Sequence, residues 1–147
     1  MKISKEWSER FLKVAHLVST WSKDPRTQVG AILVDPKTKH IVSTGYNGFP
    51  SGIKDLEKRL YLRKVKYQYV IHAEANAILQ ARGRTDGMVM YCTMHPCNEC
   101  AKLIIQSGIK NVVAPQPTRD SQEVAMNMLA EAGVFVWYTE DMELNDE

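Results

Sequence analysis

Two short motifs, far apart in the sequence, restrict the folds that this chain can adopt. The first, H-A-E, supplies the imidazole of His72 and the carboxylate of Glu74, and the second, P-C-N-E-C, supplies the thiols of Cys97 and Cys100. Histidine and cysteine are common zinc ligands, and three protein ligands leave the fourth tetrahedral position to water, as in catalytic zinc sites. The fold must therefore bring one imidazole and two sulfurs to a single point, beside a carboxylate that can act as general base.

The spacing within each motif predicts that both motifs begin helices. Residues two apart on a helix point to roughly opposite sides, so His72 and Glu74 can approach one metal only in a first turn, with the metal beyond the helix end. Proline is favoured at the first helical position, so Pro96 is expected there, with Cys97 and Cys100 in the opening turn. Two helix N-termini would then direct partial positive charge at the metal and favour thiolates.

The alternatives to a catalytic zinc site are a redox pair and a structural zinc site. A structural site needs a fourth ligand, and Cys92 is available. It lies in an apolar strand, however, where a free cysteine usually behaves as a small buried hydrophobe. We expect His16 and His40 to be packed or solvated. His95 is close enough in sequence to line the pocket, although we favour the interpretation in which it does not.

Segments with helical apolar spacing alternate with short apolar runs along the chain. They predict an α/β fold with a mixed sheet and helices on both faces, and the first two strands are expected to form a hairpin. We expect a single domain over residues 1–147, with an acidic end from about Glu140 that is mobile. The predicted helices cover residues 5–22, 72–82, 97–107 and 121–132, and the predicted strands cover residues 29–34, 41–46, 88–93, 111–114 and 134–138.

Composition narrows the class of protein. A length of 147 residues suits one domain with one core, and a net charge of +2 is too small to indicate nucleic acid by itself. No apolar run approaches the roughly 20 residues that cross a bilayer, and the first residues of the sequence do not form an apolar run, so we expect no secretory signal. Three cysteines, two of them in C-x-x-C, favour a metal in a reducing compartment over disulfides. We expect a cytoplasmic protein, in the host cytoplasm if the source is viral.

Further motifs narrow the chemistry. They are S-K-D-P at residues 22–25, Q-V-G-A at 28–31, G-Y-N-G-F-P at 45–50, H-A-E-A-N-A-I at 72–78 and P-C-N-E-C-A-K-L-I-I at 96–105. H-A-E with P-C-x-x-C is typical of all zinc-dependent nucleobase deaminases. The complete set, from about Trp21 to about Val113, resembles the deoxycytidylate (dCMP) deaminase family of the cytidine deaminase superfamily.

The resemblance implies hydrolysis of dCMP to dUMP and ammonia for thymidylate synthesis. It also implies a three-layer α/β/α fold with a five-stranded sheet. His72, Cys97 and Cys100 would hold one Zn²⁺ per subunit, and Glu74 would carry protons. Segment 53–70 contains no histidine or cysteine for a second zinc.

The same resemblance implies further contacts and regulation. Asn47 would contact the sugar or the ring, and the Ala73 backbone would hydrogen-bond the pyrimidine. Members are commonly homohexamers that dCTP activates and dTTP inhibits, with Mg²⁺ possible beside a bound triphosphate. The effector site would lie on the glycine-rich loop, with Gly45, Asn47, Gly48 and Phe49.

Cationic residues after the first helix independently suggest a phosphorylated substrate. Lys23 and Arg26 follow that helix, with Ser22 at its end. Arginine can hold a phosphate through two parallel hydrogen bonds, with lysine as a point charge beside it. The competing interpretation is that both are solvated loop charges. The basic run at residues 54–66 either faces a triphosphate or another subunit, or is a solvated helix face.

One departure from the family pattern weakens the expectation of strict selectivity for the monophosphate. Related enzymes often carry an aromatic residue after the fourth strand, where it packs on the pyrimidine, but residues 115–120 read P-Q-P-T-R-D. Deamination of dCTP or free (deoxy)cytidine therefore stays open, as does a tRNA adenosine deaminase using the basic run. The alternative outside enzymes is a zinc-stabilised nucleotide-binding module.

Replacing the carboxylate tests its assignment. Glu74→Gln is expected to keep zinc and to lower turnover by about 10²–10⁴, the contribution typical of general acid–base catalysis. Metal analysis and an ammonia-release assay on the same preparation measure both quantities. A variant with a near-normal rate would contradict the assignment.

Overall fold

The computed structural model describes residues 3–143 and contains a mixed five-stranded sheet in the order β2-β1-β3-β4-β5. β1 pairs antiparallel with both β2 and β3, whereas β3, β4 and β5 are mutually parallel neighbours. The predicted hairpin and the predicted mixed sheet are confirmed. The strands are β1 (Gly30–Val34), β2 (Ile41–Tyr46), β3 (Val89–Cys92), β4 (Asn111–Ala114) and β5 (Phe135–Tyr138).

Helices cover both faces of the sheet. On one face α1 packs through Phe11, Ala15 and Val18 against the strands. On the other face α4, α5 and α6 bury a separate apolar cluster that includes Ile104 and Leu129. The helices are α1 (Lys5–Ser19), α2 (Glu57–Tyr61), α3 (Arg63–Tyr69), α4 (Ala73–Gln80), α5 (Asn98–Gln106), α6 (Asp120–Glu131) and α7 (Thr139–Glu143).

The parallel half of the sheet positions the site. β1, β3 and β4 are buried along their whole length, as expected for strands covered on both faces. Parallel neighbours need a crossover connection, and α5 provides it between β3 and β4. The chain therefore leaves the carboxyl end of β3 and enters α5 through the P-C-N-E-C motif, at the edge where open α/β sheets bind ligands.

The structure differs from two predictions, one about the first helix and one about the acidic C-terminal segment. The first helix ends at Ser19 rather than residue 22, because the N–H groups of the next three residues bond to carbonyl oxygens three residues back, in tighter turns than those of an α-helix. The acidic end from about Glu140 was predicted to be a mobile tail, and the structure places a short helix over its described part. α7 forms there, and the Glu140 carboxylate accepts hydrogen bonds from the Gln116 N–H at 3.0 and 3.1 Å. Residues 144–147 lie outside the described part.

No helix among residues 3–143 has the length and apolar character to cross a membrane.

A close backbone approach fixes α4 against β2. A Cβ on Gly45 would collide with the Ala73 carbonyl oxygen and the Ala77 nitrogen of α4. Gly45→Ala is therefore expected to lower the free energy of unfolding by about 2–3 kcal/mol, the upper part of the range for overpacking. Urea denaturation measures this value.

Gly48→Ala is the matched control, because a Cβ added at Gly48 would meet no atom closer than the Tyr46 ring, 4.0 Å away. Equal stability of the Gly45 and Gly48 variants would show that the β2–α4 contact is not tight.

Candidate metal centre and nucleotide cavity

The three predicted metal ligands lie together. Nδ1 of His72 is 3.4 Å from the sulfur of Cys97 and 3.4 Å from that of Cys100. All three ligand atoms lie within 4.8 Å of one another. In a tetrahedral zinc site, the edge between nitrogen and sulfur ligands is about 3.6 Å long, given ordinary Zn–N and Zn–S bonds. The donor set and its spacing thus fit zinc with one open position.

Both motifs sit at helix N-termini, with one correction. His72 is the N-cap of α4 and Cys97 is the N-cap of α5, and Cys100 lies in the first turn of α5. Pro96 precedes the N-cap and is not the first helical residue, so that prediction is wrong. The extended backbone of Cys97 turns its sulfur to the helix entrance, where unpaired N–H groups and the helix dipole favour negative charge.

The thiols of Cys97 and Cys100 have pKa values shifted in opposite directions. The hydrogen bond from Cys100, followed by that from His72, lowers the pKa of Cys97 to about 3 although burial opposes the shift. The same hydrogen bond to Cys97, together with burial, raises the pKa of Cys100. The pair on its own therefore favours one thiolate. A divalent cation is what allows both sulfurs to be deprotonated.

Glu74 is a buried carboxyl group beside the ligands. It is the second residue of α4, and only 4% of its surface is exposed. Burial raises the pKa of Glu74, whereas a hydrogen bond with Cys100 and the nearby His72 lower it, and burial outweighs both. A carboxyl group whose pKa is raised towards neutral pH accepts a proton more readily and can still return it at neutral pH, which suits a proton carrier.

A cavity of about 290 Å³ opens beside the metal ligands. His72, Glu74 and Cys97 line it, together with three arginines. It thus combines candidate metal ligands and cationic residues in one space. The arginines are Arg26, Arg63 and Arg119.

The predicted substrate residues divide into two groups. Arg26, Asn47 and Ala73 line the cavity. The structure does not bring Ser22 or Lys23 to it. Ser22 is buried and its hydroxyl donates to the Asn47 carbonyl oxygen at 2.8 Å, and exposed Lys23 forms an ion pair with Asp55 at 2.9 Å.

Asn47 has a structural role that is visible in its hydrogen bonds. Its side-chain oxygen accepts from the Val29 N–H at 2.9 Å, and its side-chain nitrogen donates to the Thr27 carbonyl oxygen at 2.8 Å. Each amide atom retains further hydrogen-bonding capacity for a ligand. Asn47 therefore fixes the segment that carries Arg26 while it lines the cavity.

The other residues of the predicted effector loop do not line the cavity. Gly45 packs against α4, and Gly48 forms an antiparallel bridge with Ile71, one residue before the first ligand. The Phe49 ring packs on the Tyr69 ring of α3, with centroids 5.8 Å apart. These contacts place the loop between β2, α3 and the start of α4.

A buried ion pair next to the cavity was not predicted from the sequence. Lys66 of α3 lies 3.0 Å from Asp24, whose other oxygen accepts from the N–H groups of Arg26 and Thr27, each at 2.9 Å. Burial raises the pKa of Asp24, but these N–H groups and Lys66 together outweigh it and lower the pKa overall. The pair thus ties α3 to the loop that bears Arg26.

Sequence reasoning also missed three cavity residues. Arg63 belongs to the basic run and is the first residue of α3, the helix that also carries Lys66. Arg119 precedes α6 in the segment noted only for lacking an aromatic residue. His95 lines the cavity, contrary to the favoured interpretation, and its position next to P-C-x-x-C was the available signal.

Comparisons with known proteins bear on this site. A family model described as the cytidine and deoxycytidylate deaminase zinc-binding region matches residues 5–116. This chain belongs to that family. The resemblance found in the sequence motifs is therefore confirmed, and with it a deaminase type of enzyme.

Two individual proteins are similar in sequence to most of this chain. Human deoxycytidylate deaminase is 49% identical over 118 residues, which cover 74% of this chain and 64% of the human protein. An uncharacterised deaminase of Aliivibrio fischeri is 43% identical over 140 residues, covering 89% of this chain and 92% of that protein. This chain therefore spans just under two thirds of the human relative's length.

A solved structure confirms the fold. The dCMP deaminase of cyanophage S-TIM5, crystallised with dCMP and dUMP, superposes with a TM-score of 0.79 at 32% identity. The match covers 94% of this chain and 100% of that one. The predicted three-layer α/β/α architecture of cytidine deaminases is therefore confirmed.

The ligand assignment predicts metal content. Cys100→Ser is expected to weaken zinc binding by at least about 100-fold. Removal of a residue that only hydrogen-bonds a metal ligand typically lowers metal affinity about 10–100-fold, and loss of a ligand itself should cost more. Cys92→Ala is the control, because Cys92 is buried in β3 and belongs to the apolar core rather than to the ligand group. Competition with a chromophoric chelator measures both affinities. Equal zinc loss in the two variants would contradict the assignment.

Proposed function

We propose that this chain is a dCMP deaminase that hydrolyses dCMP to dUMP and ammonia, supplying dUMP for thymidylate synthesis. The observation that carries the proposal is the shared cavity, which is lined by Glu74, by three arginines and by two of the three grouped metal-binding residues, His72 and Cys97. The activity named for the human relative and the nucleotides crystallised with the cyanophage enzyme support the choice of substrate.

Zn²⁺ is the proposed cofactor, held by His72, Cys97 and Cys100. When bound, it would polarise a water molecule so that this water attacks C4 of the pyrimidine. The proposal rests on the spacing of the imidazole and the sulfurs and on the mixture of one nitrogen and two sulfur donors.

Glu74 moves the protons of the reaction. Its carboxylate accepts a proton from the attacking water and delivers it to ring nitrogen N3, as C4 becomes tetrahedral. The same carboxyl group then takes the remaining proton of the new hydroxyl group and transfers it to the departing amino nitrogen. The C4–N bond breaks, ammonia leaves, and C4 becomes the carbonyl carbon of dUMP. Burial of Glu74 keeps the proton donor and acceptor away from bulk water.

The backbone of α4 contributes to orientation of the pyrimidine. Ala73 is the first residue of that helix and lines the cavity. The first N–H groups of a helix have no partner within it and point out of its N-terminus. The Ala73 N–H is therefore the proposed donor to the pyrimidine, and Asn47 the proposed contact to the sugar or the ring.

The arginines are the proposed phosphate site. Arg26, Arg63 and Arg119 come from three different segments and line one cavity. The charge of Lys66 is compensated by Asp24 at 3.0 Å, so arginine guanidinium groups provide the net positive charge for a phosphate dianion. This arrangement replaces the predicted Lys23–Arg26 pair, of which only Arg26 lines the cavity.

Regulation and assembly complete the proposal. We expect a single-domain cytoplasmic homohexamer, activated by dCTP and inhibited by dTTP, with Mg²⁺ accompanying a bound triphosphate. The family membership and the G-Y-N-G-F-P loop support this part. Ammonia release from dCMP, dCTP, deoxycytidine and a tRNA anticodon stem-loop, each with and without effectors, tests activity and regulation together. Preferential turnover of any of the other three would overturn the substrate assignment.

The phosphate site predicts a selective change in KM. Arg119→Ala and Arg26→Ala are each expected to raise KM for dCMP about tenfold or more, the loss typical of a charge-assisted hydrogen bond. KM for deoxycytidine should change little, because it has no phosphate. Steady-state kinetics on both substrates provide the measurement.

Lys23→Ala is the matched control for this prediction, since Lys23 is exposed and paired with Asp55 outside the cavity. Equal effects of an arginine substitution on dCMP and deoxycytidine would remove that arginine from the phosphate site.

A further inference from the structure

His95 is a buried polar residue of the cavity that the mechanism above does not use. Only 2% of its surface is exposed, and its ring packs nearly parallel to the Tyr138 ring, with centroids 6.2 Å apart. Its Nδ1 lies 2.9 Å from the carbonyl oxygen of Pro96. Its Nε2 is buried and has no hydrogen-bond partner among the described residues. Buried polar atoms are normally paired, so this atom requires an explanation.

The hydrogen bond to Pro96 determines what Nε2 can do. A carbonyl oxygen only accepts, so Nδ1 must carry the proton and donate it. In a neutral imidazole the other nitrogen is then an acceptor with a free lone pair. A charged imidazole in this enclosed position would need a compensating partner, and the cavity already contains three arginines. Nε2 of His95 is therefore a hydrogen-bond acceptor in a fixed position, since the ring packs nearly parallel to that of Tyr138.

The proposed substrate has few groups that can donate to such an acceptor. In dCMP the phosphate dianion and the atoms O2 and N3 of cytosine only accept hydrogen bonds. The 4-amino group donates, but it is the reacting group and must lie at Glu74 and the metal ligands. The 3′-hydroxyl of the deoxyribose is the remaining donor. It belongs to the part of the nucleotide between the reacting ring and the phosphate.

We propose that Nε2 of His95 accepts a hydrogen bond from the 3′-hydroxyl of the bound nucleotide and so selects for an intact deoxyribose. This inference rests on the proposed function, because it uses a deoxynucleotide as the ligand. A nucleotide without the 3′-hydroxyl leaves the buried Nε2 unpaired, and an unpaired buried acceptor costs more than a hydrogen bond gains. Discrimination against 3′-deoxy sugars follows from this cost.

Binding of the product separates this contact from catalysis. dUMP has no 4-amino group, so comparison of dUMP with 2′,3′-dideoxyuridine monophosphate isolates the 3′-hydroxyl. The zinc-loaded wild type is expected to bind dUMP about tenfold more tightly than the dideoxy nucleotide, within the range for one buried hydrogen bond. His95→Phe keeps a flat ring against Tyr138 but has no acceptor, and it should bind both nucleotides with equal affinity. Isothermal titration calorimetry measures the four dissociation constants.

His95→Gln is the second variant, because its side-chain carbonyl can occupy the position of Nε2 and restore part of the preference. Thermal unfolding shows whether both variants are folded. Equal binding of the two nucleotides by the wild type, or an unchanged preference in His95→Phe, would overturn the proposal. A wild type that binds dUMP with the predicted preference but does not deaminate dCMP would overturn the proposed function instead.

Discussion

The convergence of two helix N-termini on one imidazole and two sulfurs is the constraint on which the rest of the structure depends. α4 starts at His72 and α5 starts at Cys97, and the three ligand atoms meet only if both helices pack on the same face of the sheet. The close contact of Gly45 with α4 fixes one helix, and the crossover from β3 to β4 fixes the other. The geometry of the site is therefore set by the core and not by flexible loops.

The buried ionisable groups at the candidate metal centre affect both the stability of the metal-free protein and the proposed reaction. Glu74 and the thiols occupy a region where a charged group is costly unless it is paired. Burial raises the pKa of Glu74, and mutual hydrogen bonding gives the two sulfurs different affinities for protons. A divalent cation would offset the negative charge that the fold collects here. The same environment suits the proton-carrier role proposed for Glu74, so one arrangement both disfavours the metal-free state and fits the proposed reaction.

Sequence reasoning succeeded where the information is local. Apolar periodicity predicted the five strands and four of the seven described helices, but not α2, α3 or α7. The spacing in H-A-E and P-C-x-x-C indicated which atoms could share a metal. It failed where the outcome depends on distant contacts. Lys23 is only three residues from Arg26 in sequence, yet its partner is Asp55. Arg63, in the helix that the Asp24–Lys66 pair joins to the Arg26 loop, and Arg119, just before α6, line the same cavity as Arg26. The same holds for Glu140, which composition assigns to a loose tail but which contacts the distant Gln116.

X-ray absorption at the zinc edge of the purified protein tests the central claim most directly, because it reports the number and type of atoms around the metal. The account predicts one zinc ion per chain with two sulfur neighbours at about 2.3 Å and two lighter neighbours at about 2.0–2.1 Å. The lighter atoms would be the His72 nitrogen and a solvent oxygen. A site with three or four sulfurs, or active protein without zinc, would contradict the account.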